Sequence, residues 1–196
     1  MHLARLSTAR GVALVAAAKA RGLPVTCDVG VHHLHLCDRD AGDFNAHMNL
    51  VPPLRDPSDR DALRRALADG TIDAVCSDHT PVDDDAKLVP FGEAEPGATG
   101  LEVFLPLVLK WGAQMKLPLA ATLAAATSRA AAVLGVDAGR LAPGSPADLC
   151  LFDPQRPWVV TREALASQGR NSPFLGLELA GRVTTTIVDG RVVYPG

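Results

Sequence analysis

Apolar and polar positions in the first half of the chain switch between a helical spacing and short apolar runs. Residues 7–22 and 56–70 each place apolar side chains on one helical face, between a candidate capping residue and a terminal glycine. Residues 23–30 form a short run containing β-branched residues, and residues 71–77 an apolar run almost without polar alternation, as in strands of a buried parallel sheet. The order helix, strand, helix, strand is typical of βα units and predicts an α/β fold.

The second half begins helical and ends β-rich. We expect helices at about 101–115 and 119–134, after a loop containing glycine and proline that covers residues 80–100. From residue 139 onwards the pattern is that of strands, and the Asp189-Gly190 pair between two β-branched runs predicts a two-residue hairpin turn. We therefore predict a first domain over residues 1–138 and a β-rich subdomain over residues 139–196.

Composition and charge narrow the function classes. The sequence is 47% hydrophobic but only 4% aromatic, so Ala, Val and Leu must build the core, and its net charge of −3 gives no basic surface for nucleic acid or an anionic membrane. No stretch reaches the ~18 apolar residues of a membrane span. The four cysteines form no CxxC pair, so we expect buried or half-buried thiols in a reducing cytoplasm: Cys27, Cys37, Cys76 and Cys150.

Polar side chains that can do chemistry follow both predicted strands. His32 and His33 come after the first strand, and Asp78 and His79 come after the second. Side chains at the carboxyl ends of parallel strands gather at one rim of such folds, and imidazole and carboxylate are zinc ligands. The alternatives are ordinary ones: satisfied histidines, and an aspartate that caps a helix or forms a turn.

Several motifs together resemble dihydroorotase, a zinc amidohydrolase of pyrimidine synthesis. They are "VHHLHL", "PPLR", "DAVCSDHTP" and the tail that begins "GSPADLCLFDP". The resemblance covers essentially the whole chain but only the C-terminal half of the family's longer sequence. It implies the C-terminal half of a (β/α)₈ barrel followed by strands of a small β-sandwich subdomain. Because a full barrel needs ~250 residues, we expect a fragment, a truncated reading frame or one part of a larger assembly.

The resemblance also implies roles for individual residues. Asp78 would bind zinc and act as the general base, with His32 as a further metal ligand and His33 as the less favoured neighbour. Backbone groups near Pro90 and Gly92, in the loop "KLVPFGEAEPGATGLE", would meet the pyrimidine ring, and His79 would lie on the substrate side. The alternative for this loop is a surface turn.

Three positions depart from the family pattern. Arg5 stands where the family has a metal-binding histidine, and a guanidinium offers no lone pair to a metal. Val51 and Val82 replace an asparagine and a histidine on the substrate side. The family's His-x-His pair and carboxylated lysine belong to the half that has no counterpart here. We predict that Arg5 pairs with Asp78 in place of a cation.

These observations leave three hypotheses about function. The first is a dihydroorotase-type enzyme interconverting dihydroorotate and N-carbamoyl-L-aspartate, incomplete as this chain. The second is a non-catalytic dihydroorotase-like partner of aspartate transcarbamoylase. The third and weaker one is a hydantoinase- or allantoinase-like hydrolase. Because half a barrel leaves apolar surface and strand edges uncovered, we also expect an oligomer.

Overall fold

A parallel sheet and an antiparallel sheet, joined by helices, make up the fold of this computed structural model, which describes residues 1–195. The strands and helices run in this order: β1 (His2–Leu3), α1 (Ala9–Ala20), β2 (Thr26–Gly30), α2 (Pro57–Asp69), β3 (Ala74–Cys76), α3 (Leu101–Gln114), α4 (Leu119–Ala124), α5 (Ser128–Leu134), β4 (Leu149–Val159), β5 (Glu178–Val188) and β6 (Arg191–Pro195). Short 3₁₀ turns lie in the connecting loops: Val31–Leu34, Asp38–Ala41, Ala46–Met48 and Asp85–Lys87.

The first two helices begin and end as the sequence predicts. Thr8 caps α1 by accepting the N–H of Gly11, and Asp56 caps α2 by accepting the N–H groups of Ser58 and Asp59. Gly70 ends α2 in the left-handed conformation (φ 87°), which glycine adopts without steric cost. These caps set where each helix leaves the sheet, and so where the following strand begins.

The parallel sheet has the order β1-β2-β3, so β2 lies in the middle. All three strands point the same way, and the loops that follow them therefore meet at one rim. The core beneath this rim is mainly aliphatic, and it includes the buried aromatic side chains of Trp111, from α3, and Phe174. This part of the chain therefore has the predicted α/β architecture, with parallel strands in chain order, as in successive βα units.

The predicted helix over 119–134 is wrong in one respect, since it is two helices. The carbonyl of Ala125 accepts the N–H of Val75 at 3.1 Å, at the outer edge of β3. Thr127 then leaves helical geometry before α5 starts at Ser128. The break between α4 and α5 therefore lets the Ala125 carbonyl bond to the edge of β3. This contact covers part of the strand edge that half a barrel would leave open.

The antiparallel sheet has the order β4-β5-β6 and packs on α3 through β5. Asp189 and Gly190 form the predicted hairpin turn, both with positive φ (49° and 74°). Residues between β4 and β5, including Phe174, belong to the same core as the parallel sheet. The expectation that all four cysteines are buried or half-buried is wrong for Cys150, which is exposed on edge strand β4.

Among residues 1–195, no helix combines the length and the apolar character that crossing a membrane would require.

Candidate active-site rim

Asp78 lies where the chain leaves β3, at the rim of the parallel sheet. Its backbone has φ 47°, a left-handed conformation that is uncommon for a residue other than glycine. Its side chain is only 9% exposed. Non-glycine residues held in such conformations tend to cluster at functional sites, so the geometry agrees with a special role for this carboxylate.

The predicted pairing of Arg5 with Asp78 is confirmed. Arg5 follows β1, and its Nη1 donates to Asp78 Oδ1 at 3.2 Å and to the carbonyl of Val51 at 2.9 Å. Val51, which replaces the family's asparagine, thus contributes its backbone to holding the guanidinium. The Arg5 side chain is 44% exposed, so one face of the guanidinium is open to solvent.

Asp28, which the sequence analysis did not single out, fixes the backbone of Arg5. Its Oδ1 accepts the Arg5 N–H at 2.7 Å, and its Oδ2 lies 2.9 Å from His2 Nε2. Arg5 itself has φ 57°. The carboxylate therefore stabilises a left-handed backbone that aims the arginine along the rim, while His2 is committed to Asp28 rather than to Asp78.

His32 and His33 point in different directions from one 3₁₀ turn. His32 is fully buried, its ring stacks on Phe174 with centroids 5.7 Å apart, and neither ring nitrogen has a hydrogen-bond partner. Burial lowers the pKa of His32 to about 3, so its imidazole is neutral. A Cβ built on Gly100 would lie 3.1 Å from His32 Nε2.

His33 has a ring nitrogen beside a space that the Asp78 carboxylate also borders. A Cβ built on Gly30 would lie 3.4 Å from His33 Nδ1 and 3.2 Å from Asp78 Oδ2, so both atoms border the same small space. His33 Nε2 lies 3.0 Å from the carbonyl of Pro52, which can only accept, so Nε2 carries the proton. Nδ1 is buried and has no partner. Burial lowers the pKa of His33, which leaves Nδ1 with a free lone pair.

Cys76, the last residue of β3, is also close to these carboxylates. Burial, together with the nearby carboxylates of Asp28 and Asp78, raises the pKa of its thiol to about 12. Cys76 therefore stays a thiol and offers no thiolate to a metal at neutral pH.

His79 and the predicted substrate loop lie beyond Asp78. His79 Nδ1 accepts the N–H groups of Gly100 and Leu101 at 3.1 and 3.3 Å, so it caps the start of α3. Pro90 and Gly92 are exposed, and the Pro90 carbonyl closes a turn by accepting two backbone N–H groups. A Cβ on Gly92 would meet no atom within 4 Å. The substrate roles of these three residues remain predictions.

Asn171, which the sequence analysis did not single out, organises the loop that carries Asp78. Its side chain is 1% exposed, donates to the carbonyls of Thr80 and Gly97, and accepts from Val82 N–H and the Thr99 hydroxyl. Val82, the third departure from the family pattern, thus contributes its backbone N–H to this network. The only signal in the sequence was an asparagine followed by Ser-Pro in a loop.

The donor set at the rim does not fit a metal within this chain. Among residues 1–195, no group of three or more His, Cys, Asp or Glu side chains is placed to hold a metal ion. His33 Nδ1 and Asp78 Oδ2 border one space, but two donors are too few for a zinc site, and Asp78 is already paired with a guanidinium. The assignment of His32 as a metal ligand stays a prediction.

Two curated proteins are similar to this chain in sequence over nearly its whole length. The chain is 45% identical over 195 residues to a dihydroorotase-like protein of Pseudomonas aeruginosa, covering 100% of this chain and 46% of that protein. It is 42% identical over 194 residues to a dihydroorotase of Geotalea daltonii, covering 99% and 46%. The chain thus spans less than half the length of these curated relatives.

A solved structure has a similar fold. The D-hydantoinase (dihydropyrimidinase) of a Thermus species superposes with a TM-score of 0.91 at 30% identity, covering 99% of this chain and 44% of that one. The family model "Amidohydrolase family" matches residues 8–193. With a carboxylate and an imidazole at the rim of a parallel sheet and a match over nearly its whole length, this chain belongs to the amidohydrolase family.

Proposed function

We propose that this chain is the C-terminal part of a dihydroorotase-type cyclic amidohydrolase that interconverts dihydroorotate and N-carbamoyl-L-aspartate in pyrimidine biosynthesis. The observation that carries the proposal is the shielded carboxylate of Asp78 at the rim of the parallel sheet. Relatives named dihydroorotase align with nearly the whole chain. We place the protein in the cytoplasm, in agreement with its four free cysteines.

The proposed reaction opens or closes a ring amide, and it requires proton transfer at one carboxylate. A divalent metal such as zinc would supply Lewis-acid chemistry in that reaction. Since His33 and Asp78 are not a sufficient ligand set, further ligands would have to come from residues outside this chain, and Arg5 would have to release Asp78. In this proposal Asp78 handles the proton, while His79 and the backbone at Pro90 and Gly92 contact the ring.

The Arg5–Asp78 pair favours a second candidate, a non-catalytic dihydroorotase-like subunit that supports aspartate transcarbamoylase. Such a subunit would use the retained fold as an assembly surface. The exposed apolar side chains of β6, Val192 and Val193 among them, would then be covered by the rest of the barrel or by a partner subunit. The same reasoning supports the predicted β-sandwich and an oligomeric protein.

The fold match with the Thermus hydantoinase favours a third candidate, a hydrolase of hydantoin-like rings. The rim residues discussed above do not distinguish between five- and six-membered cyclic amides. Substrate choice therefore has to be measured directly.

One experiment separates these candidates. The protein, in the longest form its own cells produce, is purified and tested for zinc content, for cyclisation of N-carbamoyl-L-aspartate and for hydrolysis of hydantoin. Stoichiometric zinc and turnover of carbamoyl-aspartate that Asp78→Asn abolishes would support the first candidate. A metal-free protein that co-purifies with aspartate transcarbamoylase would support the second, and turnover of hydantoin alone the third.

A further inference from the structure

The loop at residues 85–97, which follows β3, is attached by Asn49 to the loop between β2 and α2. Asn49 Nδ2 donates to the carbonyls of Phe91 and Ala94 at 3.1 and 2.8 Å. The Asn49 carbonyl also accepts the N–H of Gly97 at 2.8 Å. One residue therefore bonds to both the middle and the end of the loop.

Lys87 attaches the same loop near its beginning. Its side chain is buried, with 6% exposed, and its Nζ donates to the carbonyl of Ala46, in the loop between β2 and α2, and to the carbonyl of Glu95. The Glu95 N–H donates to the carbonyl of Ala86, so the two ends of the loop meet. The ammonium group thus joins the two loops from the inside, and its hydrogen bonds are lost when they separate.

The turn inside the loop does not need these side chains. The Pro90 carbonyl accepts the N–H groups of Glu93 and Ala94, so the turn closes through its own backbone. Asn49 comes from another loop and bonds to carbonyls on either side of this turn's first half. Its contacts therefore determine where the turn lies on the rim rather than the shape of the turn.

The segment that carries Asn49 also holds the guanidinium beside Asp78. Two residues after Asn49, the Val51 carbonyl accepts a hydrogen bond from Arg5 Nη1, which donates to Asp78 as well. The segment is thus bonded to the loop at residues 85–97 on one side and to the arginine on the other. It forms a direct connection between the loop and the ion pair.

We propose that Asn49, together with Lys87, is a positioning residue that holds the loop at residues 85–97 in one place relative to the Asp78 carboxylate. The inference deepens the proposed function and rests on it for the role of the loop, whose backbone contacts the ring. A ring held by that backbone meets the carboxylate in a reactive geometry only while the loop keeps its place.

The first test is amide hydrogen exchange, followed by NMR, on the full chain and its variants. Asn49→Ala removes both donors, Asn49→Asp keeps the shape but turns oxygen atoms towards two carbonyls, and Lys87→Met removes the ammonium group. Asn45→Ala is the matched control, because it deletes an exposed asparagine of the same loop that caps only its own 3₁₀ turn.

We expect the amides of Glu95 and Gly97 to exchange about tenfold faster, or more, in all three variants than in the native chain or the control. Asn49→Asp should exchange at least as fast as Asn49→Ala, because its carboxylate repels the two carbonyls. The Val75 amide, which is bonded to the Ala125 carbonyl at β3, should keep its native rate and so show that the fold is intact.

The second test measures the consequence for the reaction, with N-carbamoyl-L-aspartate and the longest form of the protein. Asn49→Ala should raise KM about tenfold and change kcat less, because the substrate then has to order a loop that the native protein already holds. A general folding defect would instead lower kcat at an unchanged KM, by reducing the active fraction. Asn45→Ala should leave both constants as they are.

Three results would overturn the proposal. One is native exchange at Glu95 and Gly97 in Asn49→Ala, and another is native exchange in Asn49→Asp, which would mean that the side chain only fills space. The third is an acceleration that is as large at Val75 as in the loop, because the loop would then have no attachment of its own. A native protein without turnover would contradict the proposed function instead, and the exchange rates would still decide whether Asn49 holds the loop. Should Lys87→Met fail to fold, the two Asn49 variants decide.

Discussion

The guanidinium of Arg5 reaches Asp78 across the end of the middle strand, β2. Arg5 follows β1 and Asp78 follows β3, and these strands lie on opposite sides of β2. Neighbouring strands are ~4.8 Å apart, so only a long side chain spans the gap. Gly30 ends β2 directly beneath, and its lack of a side chain leaves room for the Asp78 carboxylate.

The ion pair should contribute a measurable but small coupling energy. The Asp78 side chain is shielded, but Arg5 is 44% exposed, so solvent screens the interaction. We expect a double-mutant cycle of Arg5→Gln and Asp78→Asn, measured by urea unfolding, to give a coupling free energy of about 0.5–1 kcal/mol. A coupling near zero would show that the two side chains do not interact in solution.

A methyl group on Gly30 should disturb this arrangement. In Gly30→Ala the new Cβ would lie 3.2 Å from Asp78 Oδ2 and 3.3 Å from Asp78 Cβ, which forces the carboxylate to shift. We expect a loss of about 1 kcal/mol in the free energy of unfolding and a smaller Arg5–Asp78 coupling. Gly92→Ala is the control, because its Cβ meets open space and should change stability by less than about 0.5 kcal/mol.

The buried histidines should make stability depend on pH. Burial lowers the pKa of His32 and of His35 to about 3 in the folded protein, against an ordinary value of 6.5. Above pH 6.5 both are neutral in the folded and unfolded states and add no pH dependence. Below it the unfolded chain takes up protons that the folded one does not, so stability falls as the pH drops towards 3.

Between pH 6.5 and 3, each such histidine should lower the free energy of unfolding by up to about 1.4 kcal/mol for every pH unit by which the pH falls. Urea midpoints at pH 7.5, 6.5 and 5.5 measure the effect, and 6.5 to 5.5 is the informative interval because most carboxylates stay ionised there. His32→Leu should give a shallower slope than the native chain. An identical slope would mean that His32 is protonated, or hydrated, in the folded state.

Asn171 should be among the costliest polar residues to remove. Its amide makes four hydrogen bonds inside the loop after β3, and truncation leaves buried partners unsatisfied. We expect Asn171→Ala to lower the free energy of unfolding by about 2–4 kcal/mol. Asn45→Ala, which removes an exposed cap of a 3₁₀ turn, should cost about 1 kcal/mol or less. Equal losses for the two would contradict the role assigned to Asn171.

Much of the secondary structure could be predicted from local sequence signals. Capping residues such as Thr8 and Asp56, and the Asp189-Gly190 turn, act within a few residues of their own position, so the sequence pattern predicts them well. The break before α5 was not predictable, because it depends on a hydrogen bond between Ala125 and Val75, about fifty residues away along the chain.

Some residues of the candidate site could be predicted from the sequence, but their geometry could not. Asp78 and the histidine pair follow strands, and the charge of Arg5 made its pairing with Asp78 a sound expectation. Which of two successive histidines borders the same space as the carboxylate depends on the rotation of one 3₁₀ turn, which no periodicity reveals. The parts played by Asp28 and Gly30 likewise depend on strand register.

The most direct measurement is anomalous diffraction at the zinc edge, from crystals of the native chain grown with zinc. The account predicts no peak beside Asp78, because the Arg5 guanidinium is already paired with that carboxylate. A zinc peak at Asp78, with Arg5 turned away from the carboxylate, would contradict it.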